Sequence, residues 1–151
     1  MREISIPPLI FSRWTPWESR FDISGREYPG VYVIAISDDD LAGHAVRWRD
    51  VVYVGMTKSK GGLTQRWSQF QNSIRGRNGH SGGWTIFQAL GSFDDWTSNL
   101  FVAAMPVRCN PADPNPTDLR RLGWVAYLEY EAFSKFSRQV PDQKKPIYNT
   151  L

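Results

Sequence analysis

The stretch Tyr28-Pro29-Gly30-Val31-Tyr32-Val33-Ile34-Ala35-Ile36 decides the fold. In it, a Pro-Gly pair precedes a run of β-branched and aromatic residues, which is typical of a strand that begins at a turn. A turn-forming cluster follows at residues 38–43, and residues 45–54 then form a second run that ends at Gly55. The sequence therefore predicts two neighbouring strands that pair antiparallel.

Helical spacing follows the second strand. Leu63, Trp67, Phe70 and Ile74 are separated by four, three and four residues, which is the spacing of one face of an α-helix. The glycine-rich residues 76–83 are predicted to end this helix, because glycine is a poor helix former.

Three more elements are predicted in the rest of the chain. Residues 84–90 predict a short second helix, and residues 100–105 predict a third strand. Asn115 is a suitable N-cap ahead of Pro116, so a long helix is predicted from there to about Gln139.

The order of these elements, β, β, α, α, β, α, indicates the fold class. It predicts an α+β fold, with a small antiparallel three-stranded β-sheet flanked by α-helices rather than a doubly wound parallel sheet. Residues 1–28 are rich in Pro and Trp and lack a sustained period. They are predicted to be an N-terminal extension that packs, through its aromatic residues, on a domain formed by residues 29–151.

Composition narrows the class of protein. A chain of 151 residues with 41% hydrophobic and 14% aromatic residues is expected to form one folded domain. The lone cysteine, Cys109, excludes an internal disulfide, and no Cys/His pairs have zinc-ligand spacing. With neither a signal peptide nor an apolar run of membrane-spanning length, a cytoplasmic location without membrane contact is expected.

Positive charge is concentrated in the middle of the chain. The net charge is +3, and between Arg47 and Arg77 seven basic residues face Asp50 alone. This pattern is compatible with a polyanionic partner such as nucleic acid. A solvated basic face is the alternative, and charge by itself favours that alternative.

Two acids of the last helix are predicted to differ in environment. The apolar stripe of that helix includes Val125 and Phe136, and Glu129 occupies a missing place on it. A buried carboxylate needs a basic residue, a metal ion or a cleft beside it, so a metal site and a structural ion pair with an arginine are equally open. Glu131 lies off the stripe and is expected to pair with Lys135 four residues later.

These motifs, taken in order, resemble the GIY-YIG nuclease family. The resemblance runs from Tyr28 to Asn149: a Pro-Gly-Val-Tyr strand, a Tyr-Val-Gly strand, a Leu-x-x-Arg helix, an acid in a later helix and a closing Pro-x-Tyr-Asn. It implies a metal-dependent endonuclease that hydrolyses DNA phosphodiester bonds, with double-stranded DNA as partner and one Mg²⁺ or Mn²⁺ as cofactor.

The resemblance also implies the roles of individual residues. Tyr32 and Tyr53 would be the two tyrosines of the site, Arg66 the phosphate-binding arginine, Glu129 the metal ligand and Asn149 the closing polar residue. Tyr53 is expected to activate the water, which requires a nearby cation because an ordinary phenol has a pKa near 10.

Further cations are expected to line the site. Lys58 is the candidate expected to act on Tyr53. The residues expected to bind substrate are Lys58, Lys60, Arg75, Arg77 and the loop residue His80.

The chain departs from the family pattern in four places. Residues 33–52 and 55–63 are longer than the family's usual connections, which loops tolerate at small thermodynamic cost. The His or Tyr that many members carry one turn after the arginine is replaced by Gln69-Phe70-Gln71. The interval from Glu129 to Asn149 is also long.

Two alternatives to an active nuclease remain open. One is a catalytically inactive nucleic-acid-binding domain on the same scaffold, in which Tyr32 and Tyr53 are ordinary strand aromatics and Arg66 pairs with Glu129. The other is a protein-interaction domain, for which the Trp-rich residues 1–28 would supply an exposed aromatic surface.

Overall fold

The computed structural model describes residues 5–77, 81–91 and 96–149 of the chain. The described elements comprise four strands, three α-helices and three short 3-10 turns. The strands are β1 (Thr15–Pro16), β2 (Gly30–Ile36), β3 (Val51–Thr57) and β4 (Leu100–Pro106); the α-helices are α1 (Gly62–Ile74), α2 (Ser81–Leu90) and α3 (Pro116–Gln139); the 3-10 turns are Trp17–Asp22, Trp48–Asp50 and Thr97–Asn99.

The sheet is antiparallel throughout, with the strand order β1-β4-β2-β3. The predicted α+β class is confirmed, but the predicted count of three strands is wrong, because the N-terminal segment adds a fourth. In that strand Thr15 pairs with Val102 and Pro16 with Phe101. Two residues are too few to leave a period in the sequence, and Pro16 is tolerated there because β1 is an edge strand.

β2 is the central strand that positions the others. Its first six residues are buried, and it pairs with β4 on one side and β3 on the other. The strand begins at Gly30, within the Pro-Gly pair that was predicted to precede it. Its continuous apolar run is what a strand covered on both faces requires.

β3 differs from its prediction at both ends. Residues 45–50 lie outside it, and the strand begins at Val51, after the 3-10 turn Trp48–Asp50, and continues through Gly55 to Thr57. Its pairing register with β2 shifts between Ile34 and Ala35. This bulge re-aims the side chains that follow it, as bulges do.

Helices cover both faces of the sheet, and each face has its own core. α1 and α2 pack on the face that carries Tyr32, and α3 packs on the face that carries Val33. The extension contributes to both cores: Trp14 lies in the α3-side core and Trp17 in the α1-side core, with 2% and 1% of their surfaces exposed.

α3 begins and ends as predicted. Asn115 and Asp118 form a reciprocal capping box, with Pro116 in the first turn, and the helix runs to Gln139. The buried place nearest Glu129 belongs to Leu128, and Glu129 itself lies half-buried on the flank of the buried stripe. Within the described ranges, no helix has both the length and the apolar character needed to cross a membrane.

Candidate functional site at the edge of the sheet

β3 is an edge strand, and the C-terminal segment closes the first half of its free edge. The Tyr148 N–H donates to the Val52 carbonyl at 3.0 Å. The Asn149 side chain accepts from the Val54 N–H at 2.9 Å and donates to the Val54 carbonyl at 2.9 Å. Asn149 thus pairs with Val54 as a neighbouring strand would, and only 7% of its surface is exposed.

Arg66 meets the second half of the same edge. Its Nε donates to the Met56 carbonyl at 3.2 Å, and its side chain is half-buried. The first turn of α1 is anchored on the segment before β2, since the Leu63 and Thr64 N–H groups donate to the carbonyls of Tyr28 and Arg26. The rigid fork of Arg66 therefore keeps N–H donors that the strand edge does not use.

Glu129 approaches this end of β3 from the opposite layer. Burial raises the pKa of its carboxyl group, whereas Arg66 and then Lys58 lower it. Within the described ranges, neither cation lies within 4.0 Å of the carboxylate. The alternative of a tight structural ion pair between Arg66 and Glu129 is therefore not what the structure contains.

Tyr32 is fully buried beneath the site. Its ring centroid lies 6.2 Å from that of Tyr53 and 6.2 Å from that of Trp67, which it meets edge-on. Gly55 is its partner across the strands, and a Cβ there would overlap the phenol ring. Burial, followed by the effect of Tyr53, raises the pKa of Tyr32 well above its ordinary value. Its hydroxyl interacts with Tyr53 but makes no hydrogen bond of regular geometry among the described residues.

Tyr53 lies nearer the surface but is also covered. The Phe70 ring centroid lies 5.8 Å from its own, and Gly82 of α2 approaches so closely that a Cβ would overlap the phenol. Burial raises the pKa of Tyr53 to about 12, although Arg66 opposes that shift. The cation that lowers the pKa of Tyr53 is Arg66, and the expected role of Lys58 on this phenol stays a prediction.

Lys58 acts on Glu129 from the turn that follows β3. The Ser59 N–H donates to Thr57 Oγ1 at 3.2 Å, which holds that turn, and the Lys58 side chain is exposed. Lys60 is exposed two residues further on. These lysines place positive charge beside the end of β3 that Arg66 and Glu129 share.

The other predicted cations do not gather at this point. Arg75 interacts with Arg20, and it lies nine residues after Arg66, roughly 13 Å along the axis of α1. Arg77 follows it and is exposed. His80 lies outside the described residues.

Phe70 and Gln71 of α1 contact Tyr53 and the N-terminal extension, respectively. The side chain of Gln71 accepts a hydrogen bond of 2.6 Å from Trp17 Nε1, and Phe70 packs on Tyr53. A hydrogen bond to the N-terminal extension and an aromatic contact therefore occupy the positions where the resemblance to GIY-YIG nucleases would imply a His or Tyr.

Sequence reasoning missed two groups that shape the site. Trp67 holds the Tyr32 ring, and Gly82 admits α2 against Tyr53. Trp67 was visible as a member of the helix face, but its contact with Tyr32 joins elements distant in sequence. Gly82 lies in the glycine-rich stretch that was predicted to precede the second helix, whereas α2 begins at Ser81, so its contact with the Tyr53 ring could not be predicted.

Two expectations about the surface and the acids are corrected. Trp14 and Trp17 are buried in their own chain, so they supply no exposed aromatic surface for a protein partner. Glu131 pairs with Arg138 at 3.5 Å rather than with Lys135.

A cavity of about 430 Å³ lies away from this site. It is lined by Trp14 and by residues of the 39–50 segment, including His44 and Arg47, and by none of the predicted site residues. Size alone would favour that cavity, but the convergence of Arg66, Glu129 and Lys58 identifies the β3 edge as the site with the stronger chemistry.

The side chains at the β3 edge can be tested for whether they could bind a metal ion. Within the described ranges, no group of three His, Cys, Asp or Glu side chains could hold one. Mg²⁺ does not need such a group, because it binds through one or two carboxylates and keeps several waters. Glu129 is half-exposed and forms no salt bridge with a described residue, so it fits that mode. No protein-family model, curated protein or solved structure matches this chain.

Proposed function

We propose that this chain is a metal-dependent endonuclease of the GIY-YIG type that hydrolyses phosphodiester bonds of double-stranded DNA. The observation that carries the proposal is the convergence of Arg66 and Glu129, from opposite layers, on the end of one edge strand without a salt bridge within 4.0 Å. A silent ion pair would close that distance, whereas a site that binds both phosphate and a cation keeps the two charges apart.

Arg66 and Lys58 supply the positive charge that cleavage of an anionic diester needs. The Arg66 guanidinium, held at Met56, would bind the non-bridging oxygens of the phosphate and stabilise charge that develops there. Lys58, exposed at the end of β3, would add a mobile positive charge beside it.

Glu129 would hold one Mg²⁺ or Mn²⁺ with its carboxylate. When bound, such an ion neutralises charge on the phosphate and on the leaving oxygen. Partial burial favours this ligand role, because desolvation raises the free energy of the unpaired carboxylate and so strengthens its attraction to a cation.

The two tyrosines are proposed to have different roles. Tyr32 is fully buried and would support the ring of Tyr53 from below. Tyr53 would orient the attacking water and accept its proton. Because the pKa of Tyr53 is about 12, its oxygen carries a proton in nearly all molecules at neutral pH.

A second candidate function, DNA binding without cleavage, is favoured by that same protonation. A phenol so rarely ionised is a poor base, whereas Arg66 and the exposed lysines would bind a phosphate backbone in either case.

The deciding experiment is a plasmid-nicking assay with Mg²⁺ or Mn²⁺ at low salt, run beside an EDTA control. We expect nicking by the wild type that is lost in Glu129→Ala. Glu131→Ala is the matched control, since it removes an acid two residues later on the same helix and should retain activity.

Equal activity of the wild type and Glu129→Ala would refute the metal-ligand role and point to a contaminating nuclease. Inactivity of all variants, with DNA still retarded on a gel, would replace the nuclease proposal by the binding function.

A further inference from the structure

A groove of about 280 Å³ lies beside the C-terminal end of β4. Its charged members are Arg108, which follows β4, and Arg121 of α3, and its largest apolar member is Trp124. Two guanidinium groups beside an aromatic ring form a surface suited to an anion that carries an apolar part, such as the sugar-phosphate backbone.

Both arginines are held in place by neighbouring groups. The Arg108 Cζ lies 5.4 Å from the ring centroid of Tyr28, and the Arg121 Cζ lies 5.9 Å from that of Trp124, both within cation–π range. Arg121 Nη1 also donates to the Arg108 carbonyl at 2.9 Å. These contacts orient the guanidinium groups and leave most of their N–H donors for a ligand.

Neither cation forms a salt bridge within the described part of the chain, where no carboxylate lies within 4.0 Å of either one. Asp118 precedes Arg121 by one helical turn, but its two oxygens accept hydrogen bonds from the N–H groups of Asn110 and Asn115, each at 3.0 Å. These hydrogen bonds hold the Asp118 carboxylate at the helix cap, from where it attracts Arg121 without forming a salt bridge.

The groove and the candidate cleavage site lie near the same end of the sheet. Arg121 and Glu129 are eight residues apart on α3, roughly 12 Å along the helix axis. Pro106 at the end of β4 pairs with Gly30, which in turn pairs with Thr57 beside Lys58. The strand ends beside the two sites are therefore two strand spacings apart, about 10 Å, which is the axial length of about three base-pair steps.

We infer that Arg108 and Arg121 bind phosphates of the same DNA duplex on which the β3 edge acts, a few base pairs from the bond to be cut. The inference rests on the proposed function for its partner. Trp124 would pack against a deoxyribose, and the groove would supply affinity without sequence preference, because its contacts are to the backbone.

The test is the salt dependence of binding to a fluorescently labelled duplex of about 20 base pairs, measured in EDTA between about 50 and 200 mM NaCl. Arg108→Ala/Arg121→Ala should lower the slope of log K against log salt by about 2, since each phosphate contact contributes about 0.9. The matched control, Arg47→Ala/Arg138→Ala, also removes two exposed arginines, but each of these is paired with an acid, and its slope should change by less than about 0.5.

A charge-conserving variant keeps the test independent of folding. Arg108→Lys/Arg121→Lys should retain most of the wild-type slope, since lysine also contacts phosphate. A wild-type slope in the alanine double variant would overturn the inference. So would release of the duplex by a few millimolar inorganic phosphate at matched ionic strength, because the groove would then take free phosphate.

Failure of this inference is distinguishable from failure of the proposed function. Binding in EDTA does not depend on cleavage. If the protein is inactive but the slope changes as predicted, the phosphate-binding role of the groove is supported and the nuclease proposal is refuted. If the protein cleaves DNA but the slope is unchanged, the proposed β3-edge site is supported and the phosphate-binding role of the groove is refuted.

Discussion

The two halves of the free edge of β3 are closed in different ways. The tail closes the first half with backbone and amide hydrogen bonds to Val52 and Val54, and Asn149 is buried in doing so. The second half is met by the charged side chain of Arg66, which uses Nε for Met56 and keeps its other donors. A sheet edge must be covered to prevent pairing with another strand. Here the C-terminal segment covers one half, and the Arg66 side chain, which can also bind a ligand, covers the other.

This difference separates stability from function along one strand. Changes at the Asn149 half should cost stability, because they leave buried backbone groups without partners. Changes at the Arg66 half should cost the proposed activity and leave the fold nearly unchanged, because the groups there are partly exposed and form no salt bridge among the described residues.

The largest effect is expected for Glu129→Gln. We expect the rate of metal-dependent nicking to fall by about 1000-fold, about 4 kcal/mol in the barrier, because the carboxylate is the proposed metal ligand. Thermal melting should show equal or greater stability, since burial raises the pKa of Glu129 and its charge opposes folding at neutral pH. If the variant melts at a lower temperature and still cuts DNA, the role of Glu129 is to stabilise the fold and not to bind a metal ion.

Arg66→Ala should have the second largest effect. We expect the rate of nicking to fall by about 100-fold, about 3 kcal/mol in the barrier, because a phosphate contact is lost. The stability cost should be about 1 kcal/mol, for one hydrogen bond to Met56. Arg49→Ala, which removes an exposed arginine before β3, is the matched control and should cut normally. Equal loss in both variants would mean that only overall charge matters.

Asn149→Ala should reduce stability more than the Arg66 and Glu129 variants do. Loss of both hydrogen bonds to Val54 is expected to lower the free energy of unfolding by about 2 kcal/mol. Urea titration measures this, with Ile147→Ala as control, since Ile147 lies in the same tail and is 66% exposed. If Asn149→Ala unfolds like the wild type but does not cut, Asn149 belongs to the site rather than to the edge closure.

The smallest effect, counted per pH unit, is expected for the pH dependence of cleavage. If Tyr53 accepts the proton of water, its ionised fraction rises tenfold per pH unit below a pKa of about 12, so the rate should rise about tenfold per unit between pH 7 and 9. Tyr53→Phe should abolish this slope. A flat profile in the wild type would restrict Tyr53 to orienting water.

The sequence predicted most of the secondary structure, for identifiable reasons. α1 and α3 were predicted because their apolar residues recur at helical spacing and because Asn115-Pro116 is a local start signal. β1 was missed, because a two-residue edge strand has no period, and β3 was misplaced, because its start depends on the 3-10 turn Trp48–Asp50 and its end on pairing with Gly30.

The sequence by itself determined which groups are available: the tyrosines on two strands, an arginine four residues into a helix, and an acid beside an apolar stripe. Only the tertiary structure decided how they are used. It brings Arg66 and Glu129 together across the β3 edge, commits Asn149 to Val54, moves Arg75 next to Arg20 and buries the phenol of Tyr53. The physical reason is that charge, burial and hydrogen-bond partners depend on neighbours from distant parts of the chain, whereas spacing along the sequence reports only local conformation.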